Sequence, residues 1–499
     1  MSELPIQRRL QRRLVQTQAR VEAGMGDRWI PLLVMVGLIL SLAWTGMVNV
    51  RSMESGVDLA GYTQAIWQIG EGTTPRASLL GDGVHMLELG WSFVLYPLAL
   101  IGRFVSPSTV LVGSQALALG VVVVPLWLLA RRVNHLRVSA ATALIMAYAL
   151  HPATHRLGTE DFHPESLAVP ALVGMAYFGT SKKWVPYWLC VAFALLTRAD
   201  LGLVVALWGL VVLGSRSRNN GLWTLAVGLF WSLGLLLVVQ PIVGQGALFG
   251  NGAGTGMGFG GVVFSALRTP GELFAQENMT LIVSLLAPVI FLPLLSLRHF
   301  APALPLAGLY LIAGGDGAVA FAERAAMLLA FVMIAAAFAL NRLGSRGVDT
   351  VFLDRRILTT LVAASVLVYV STSPISLYER PWQGTRLDAT DEAIQEAVAQ
   401  LPPDVTVRAS PSALVHLAER NWLFAVEPDR ELLAAQAGFP EFTWAVLVVE
   451  RELPERSATE REEFDRGMAA QGFEILMDKD GVALYSRAEL PSPEQERAS

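Results

Sequence analysis

Residues 87–105 read LELGWSFVLYPLALIGRFV. This stretch either crosses a membrane or lies along its surface as an interfacial or re-entrant element, and the choice decides the fold. One crossing more or less moves every later loop to the other side of the bilayer. Working outward, apolar runs near or beyond ~18 residues recur from Trp29 onward, which is the pattern of a polytopic membrane protein. Candidate spans fall at 29–50, 108–130, 138–155, 164–180, 184–197, 201–214, 221–243, 280–297, 300–314, 325–341 and 357–373.

Basic residues arbitrate, because cytoplasmic loops carry an excess of Lys and Arg. If 87–105 does not cross, the inner side holds 18 of the 25 Lys and Arg before position 375. These include the Arg8–Arg28 cluster, Arg131, Arg132, Arg137, Lys182, Lys183, Arg298, Arg342, Arg355 and Arg356. If it does cross, the inner side keeps 11. The first arrangement is expected: about eleven transmembrane helices, a cytoplasmic N-terminus and an extracytoplasmic C-terminal part.

Composition agrees. The 499 residues are 53% hydrophobic and 16% charged, with a mean hydropathy of +0.49; soluble chains carry roughly 25% charged residues. The first apolar run follows 28 residues without a cleavage-site pattern, so it reads as a retained helix. The sole cysteine, Cys190, excludes a disulfide within the chain. Residues 1–374 hold 25 basic against 18 acidic side chains, and residues 375–499 hold 12 against 24. That acidic tail argues against nucleic acid as a partner. The expected organisation is a cytoplasmic segment 1–28, a membrane body 29–374, an extracytoplasmic α/β domain 375–488 and a disordered tail 489–499.

This placement gathers the ionisable turns on the outer side, where groups near membrane depth usually mark a functional cavity. In the first outer loop, Leu59, Tyr62, Ile66 and Ile69 recur at helical spacing, so 58–70 suits an amphipathic interfacial helix. Asp58 stands at its start, as an N-cap or as a general base facing a cavity. The turn GTEDFHPES at 158–166 sets Glu160, Asp161, His163 and Glu165 between two apolar runs. Pro164 suits the first helical position, with His163 near the cap, so a helix N-terminus would face an anion such as phosphate. The plainer reading is a satisfied capping network. In LLTRADLG, Arg198 and Asp200 form either a mutual ion pair or, for Arg198, a fork on phosphate oxygens. His85 completes the set. Asp161, Glu165 and Asp200 serve as supporting groups, able to hold a divalent ion such as Mg or Mn.

The stretch 244–261, GQGALFGNGAGTGMGFGG, lacks the Lys-Ser/Thr of a P-loop and reads as a connector or a lid. Glu323 and Arg324 open a later span and are weaker cavity candidates. After 375, DEAIQEAVAQL and SALVHLAERN suit helices, VTVRAS and TWAVLVVE suit strands, and FEILMDKDGVALYSR suits a hairpin.

At these residues the chain resembles a family. Asp-Leu…Gln-Ala-Ile-Trp at 58–67, His85, Asp-Phe-His-Pro-Glu at 161–165, Arg-x-Asp-x-Gly at 198–202 and VRASPSALVHLAERNWLFAVEP at 407–428 are similar to the bacterial membrane-protein family catalogued as domain of unknown function 2079. In layout that family is similar to the glycosyltransferase C superfamily (GT-C). The likeness implies an Asp early in the first outer loop, interfacial helices after it, and a donor sugar taken from polyprenyl phosphate on the outer face. It also favours an 87–105 segment that does not cross. Two positions depart from the family pattern: Thr63 and Ala199 stand where the family commonly has acids.

The expected function is an extracytoplasmic glycosyltransferase of the bacterial plasma membrane. Asp58 would be its base, and His163, Arg198 and His85 would bind the donor phosphate. The acceptor would be an envelope glycan, lipid or protein. A transporter or flippase predicts charges through the membrane thickness and internal repeats, and neither is visible. A non-catalytic scaffold is the third reading.

Overall fold

The protein is described here by a computed structural model covering residues 24–487, less 82–83, 90, 160, 216, most of 236–275, 314–316, 347–349, 377–385, 427–442 and 454–457. The expected glycine-rich stretch 244–261, Glu160 and the tail 489–499 lie outside the described residues.

Helix α1 (Gly26–Arg51) leads into α2 (Val57–Gly70), a small hairpin of β1 (Arg76–Ala77) and β2 (Val84–His85), and α3 (Leu95–Gly102). The bundle continues with α4 (Pro107–Val121), α5 (Val138–Ala149), α6 (Pro152–Thr159), α7 (Pro164–Thr180), α8 (Trp184–Thr197), α9 (Leu201–Leu213) and α10 (Arg218–Gly234). It closes with α11 (Gln276–Leu286), α12 (Leu304–Ala313), α13 (Gly317–Leu343) and α14 (Arg355–Thr372).

The deciding stretch is broken. A turn at 86–89 and Trp91, in the left-handed region at φ 58°, precede α3. With its eight residues α3 is about 12 Å long, too short to cross a ~30 Å core alone.

The expected spans 164–180, 184–197 and 201–214 form helices to within a residue of those bounds, while two others are interrupted. Among the described residues three helices are long and apolar enough to cross: Gly26–Arg51, Pro107–Val133 and Arg355–Thr372. The expected span 138–155 breaks between Ala149 and Pro152. The expected span 280–297 is bent by 83°, with Ile290 and Phe291 both left-handed. Proline marks both breaks: Pro152 opens the helix after the first, and Pro288 and Pro293 flank the second. Helix α7, by contrast, fills its expected span and is buried around nearly its whole circumference.

Contacts sort the bundle into two ends. At one, Arg131 pairs with Asp27, Asn341 donates to the Asn134 carbonyl, Arg342 to Leu295 and Arg298 to Val211. At the other, Asn49 donates to the Thr159 carbonyl at 2.8 Å, and the Val94 N–H donates to Leu196.

The C-terminal part holds α15 (Ala389–Gln400), β3 (Val407–Ala409), α16 (Pro411–Leu417), β4 (Leu423–Ala425), β5 (Ala445–Val449), α17 (Ala458–Ala470), β6 (Phe473–Lys479) and β7 (Val482–Arg487). The five strands form one sheet in the order β4-β3-β5-β7-β6. Strand β3 is parallel to β4 and β5, while β7 is antiparallel to β5 and β6. Val446, Val448 and Tyr485 face Phe464 and Met468 of α17. Val407, Leu423, Leu447 and Leu484 face the other way, into a core shared with Leu59, Ala60 and Ile66 of α2.

Helix α2 forms where periodicity expects it, but it is not a surface helix. It lies between the bundle and the C-terminal sheet, with Gln64 and Gln68 fully buried. The apolar spacing located the helix; the buried glutamines, which meet backbone carbonyls of the C-terminal part, decide its surroundings.

Candidate active site

The site begins at the N-terminus of α2. The capping residue is Gly56, in an extended conformation, and not Asp58. The orphan N–H groups of the first turn are met from a distant loop. Asp161 Oδ1 accepts from Gly56 N at 2.7 Å, and Asp161 Oδ2 accepts from Asp58 N at 3.1 Å. A Cβ at position 56 would overlap that carboxylate, which would have to move off the α2 N–H groups to make room. Asp161 therefore caps α2 across more than a hundred residues of sequence.

The same loop sets His163. His163 is the N-cap of α7 and Pro164 its first residue, as the sequence suggests. Its backbone N–H donates to Gln115 Oε1 at 3.0 Å, and Ser166 Oγ donates to the same oxygen. Gln115 Nε2 donates to the Asp161 carbonyl at 3.2 Å. Gln115, on α4, thus holds both ends of Asp161-Phe162-His163. Phe162 is buried edge-on against Tyr62 of α2 at 5.3 Å. His163 Nδ1 then faces Asp58 Oδ2 at 3.9 Å; the Asp58 side chain is 35% exposed and His163 10%. That separation is an ion-pair distance when the imidazole is protonated, too long for a hydrogen bond.

Two residues beyond His163, Glu165 in the first turn of α7 pairs with Arg198. Arg198 Nε also donates to Asp200 Oδ2 at 2.9 Å. All three side chains are nearly buried. Glu165 and Asp200 stand at the N-termini of α7 and α9, where the helix dipole favours a negative charge. The mutual ion pair is therefore the arrangement present, and two donor positions of the Arg198 fork are already engaged by carboxylates.

His85 lies on β2, where its Nδ1 accepts from Leu87 N at 3.1 Å. Among the described residues no hydrogen bond or ion pair ties it to the His163 or Arg198 groups. The structure thus brings Asp58, Asp161, His163, Glu165, Arg198 and Asp200 along one seam. Nothing is described of the Glu323 and Arg324 side chains.

The carboxylates do not compose a metal's ligand set. Both oxygens of Asp161 accept from backbone N–H groups, and Glu165 and Asp200 hold Arg198. Among the described residues no group of three His, Cys, Asp or Glu is arranged for a metal ion. Thr63 is buried, its hydroxyl without a hydrogen-bond partner among the described residues, and Ala199 is buried with its carbonyl accepting from Ser232.

Residues 50–484 match the family described as predicted membrane protein, DUF2079. The chain belongs to that family. No curated protein matches this DUF2079 chain. Its fold is similar to the crystal structure of ArnT from Cupriavidus metallidurans bound to undecaprenyl phosphate, with a TM-score of 0.53 at 11% identity, over 93% of this chain and 99% of ArnT. The apo form of the same ArnT gives 0.50 at 14% identity, over 90% and 97% of the two chains. The DUF2079 chain is therefore a helical membrane protein with a GT-C-like fold. At this identity the likeness speaks to fold alone.

Gln115 was missed by sequence reasoning. Its signal is a lone amide inside the apolar run VLVGSQALALGVVVV. Gln68 carries a similar signal, a second amide one turn after Gln64 within the apolar repeat of 58–70.

Proposed function

We propose that this protein is a glycosyltransferase that takes a sugar from a polyprenyl-phosphate donor at the extracytoplasmic face of the plasma membrane. The carrying observation is a partly exposed Asp58 carboxylate held opposite His163, at the N-termini of two helices. The GT-C-like fold supports the reading, and ArnT, bound to undecaprenyl phosphate, shares that fold.

Asp58 takes the proton from an acceptor hydroxyl as its oxygen bonds to the anomeric carbon. The bond from that carbon to the phosphate oxygen breaks, and polyprenyl phosphate leaves with the electron pair. The His163 imidazole, at the N-terminus of α7, donates an N–H to the leaving phosphate, where charge stabilisation lowers the barrier most. Arg198, held between Glu165 and Asp200, orders the turn behind His163 and is the lesser phosphate ligand. The donor's tail would lie among the apolar helices, and the acceptor would be an envelope glycan, lipid or protein.

Purified Asp58→Asn protein, supplied with a polyprenyl-phosphate sugar, should lose at least about 100-fold in transfer. Its affinity for undecaprenyl phosphate should stay within about twofold, because the amide keeps the side chain's shape. Turnover close to that of the parent would refute the base assignment.

A further inference from the structure

The C-terminal layer meets the bundle through buried polar groups as well as apolar contact. Gln64 and Gln68 lie one turn apart on α2, on a different face from Asp58 and Tyr62. Gln64 Nε2 donates to the carbonyls of Arg420 at 3.1 Å and Asn421 at 3.2 Å, and its Oε1 accepts from Ser78 Oγ at 2.9 Å. Gln68 Nε2 donates to the Asn421 carbonyl at 3.1 Å, and its Oε1 accepts from Arg76 N at 2.7 Å. Ser78 Oγ also meets the Leu423 carbonyl at 2.8 Å and the Leu423 N–H at 3.2 Å. Leu423 opens β4, the edge strand of the sheet, so the first loop covers an edge that would otherwise be unpaired. On the far side of the 52–56 turn, His416 Nε2 donates to the Val50 carbonyl of α1 at 2.8 Å.

The C-terminal layer therefore grips the chain both before and after the 52–56 turn that leads into Asp58. Apolar contact alone would let α2 roll or slide, since dispersion and burial are non-directional. Amides aimed at fixed carbonyls in a dry interface are directional, and each loses its partners if the helix turns. The Asp161 cap fixes α2 along its axis; the two glutamines fix its rotation.

We infer that Gln64 and Gln68 are positioning residues, through which the C-terminal layer sets the rotation of α2 and so the distance from Asp58 to His163. The functional meaning rests on the reading of Asp58 as the base; the geometric claim does not.

The test uses full-length protein in a Cys190→Ser background carrying Asp58→Cys and His163→Cys. A short bis-methanethiosulfonate reagent links the two thiols, and intact mass spectrometry scores the yield without donor or acceptor. Adding Gln64→Met and Gln68→Met, which keep the bulk and remove the amides, should lower the yield about fivefold. Tyr485→Phe removes the hydrogen bond to Asp465 on the opposite sheet face and should leave the yield within about twofold. An unchanged yield in the Met pair, or an equal fall with Tyr485→Phe, overturns the inference. If the Met pair does not fold, Gln68→Met alone carries the same comparison with a smaller fall. In protein with native Asp58 and His163, the Met pair should lower kcat about tenfold with the donor KM near that of the parent. Absence of glycosyl transfer in the parent would end the Asp58 reading while leaving the cross-link result standing, so the two failures are separable.

Discussion

Asp58 is placed by residues that do no chemistry themselves. Asp161 is the first of these, since both its oxygens are used on the α2 backbone. Asp161→Ala leaves two partly buried N–H groups at the start of α2 without their capping acceptor and should cost about 0.5–2 kcal/mol of stability, seen as a lower melting temperature in detergent. Gly56→Ala should act alike, because its methyl meets the same carboxylate. Arg198 separates two readings of the buried cluster. If it chiefly neutralises Glu165 and Asp200, Arg198→Ala strands two buried carboxylates and should destabilise by about 3–5 kcal/mol. The expected outcome is then loss of folded protein on size exclusion; a well-folded variant that fails only to bind undecaprenyl phosphate would make Arg198 a principal phosphate ligand instead of the lesser one. At this scale the sequence showed which polar residues gather, because acids and a histidine between apolar runs are costly without a reason. It did not show their division of labour. Whether Asp161 caps a helix or binds an ion depends on which backbone lies 3 Å away, and that backbone is a hundred residues distant in the chain.

Helices were legible as apolar runs, and their ends were less so. The run 138–155 is apolar only as far as Leu150; the helix stops at Ala149, just before polar His151 and Pro152, and His155 beyond the break bonds to the Ala149 carbonyl and Ser373. Hydropathy reports preference for a dry environment, and both a lipid-facing helix and an enclosed one satisfy it. Helices α9 and α10 show a second signal that the sequence carries and hydropathy ignores. Gly202, Gly209, Gly221 and Gly228 let their backbones touch, a small-residue packing common between membrane helices. A Cβ at Gly209 would stand 2.6 Å from Leu225 N and 2.9 Å from the Gly221 carbonyl. These are rigid backbone atoms, so Gly209→Leu must push the helices apart and lower thermal stability. Gly113→Leu meets open space at its Cβ and should change the melting temperature little. Equal losses in the two variants would show that close approach is not what holds the pair.

Across the whole molecule the two ends differ in charge. Arg131, Arg298 and Arg342 bond at one end, while Asp58, Asp161 and Glu165 lie at the other. Helix α3 stays with the second group, because Arg103 and Ala99 pack beside Gly70 of α2. It is also too short to reach the other end. These contacts fix which residues share an end; the excess of Arg and Lys assigns that end to the outside or the cytoplasm. Single cysteines in a Cys190→Ser background test the assignment in intact cells with a membrane-impermeant maleimide. Glu54 and Phe104, both exposed, should label as cysteines without detergent. Lys182, in the turn after α7, and Asp354, the N-cap of α14, should label only after the membrane is opened. If 87–105 crossed, position 104 would be protected and position 182 exposed, the reverse of this pattern. That result would set Asp58 and Asp161 on opposite faces of the bilayer, and the capping bonds between them could not form.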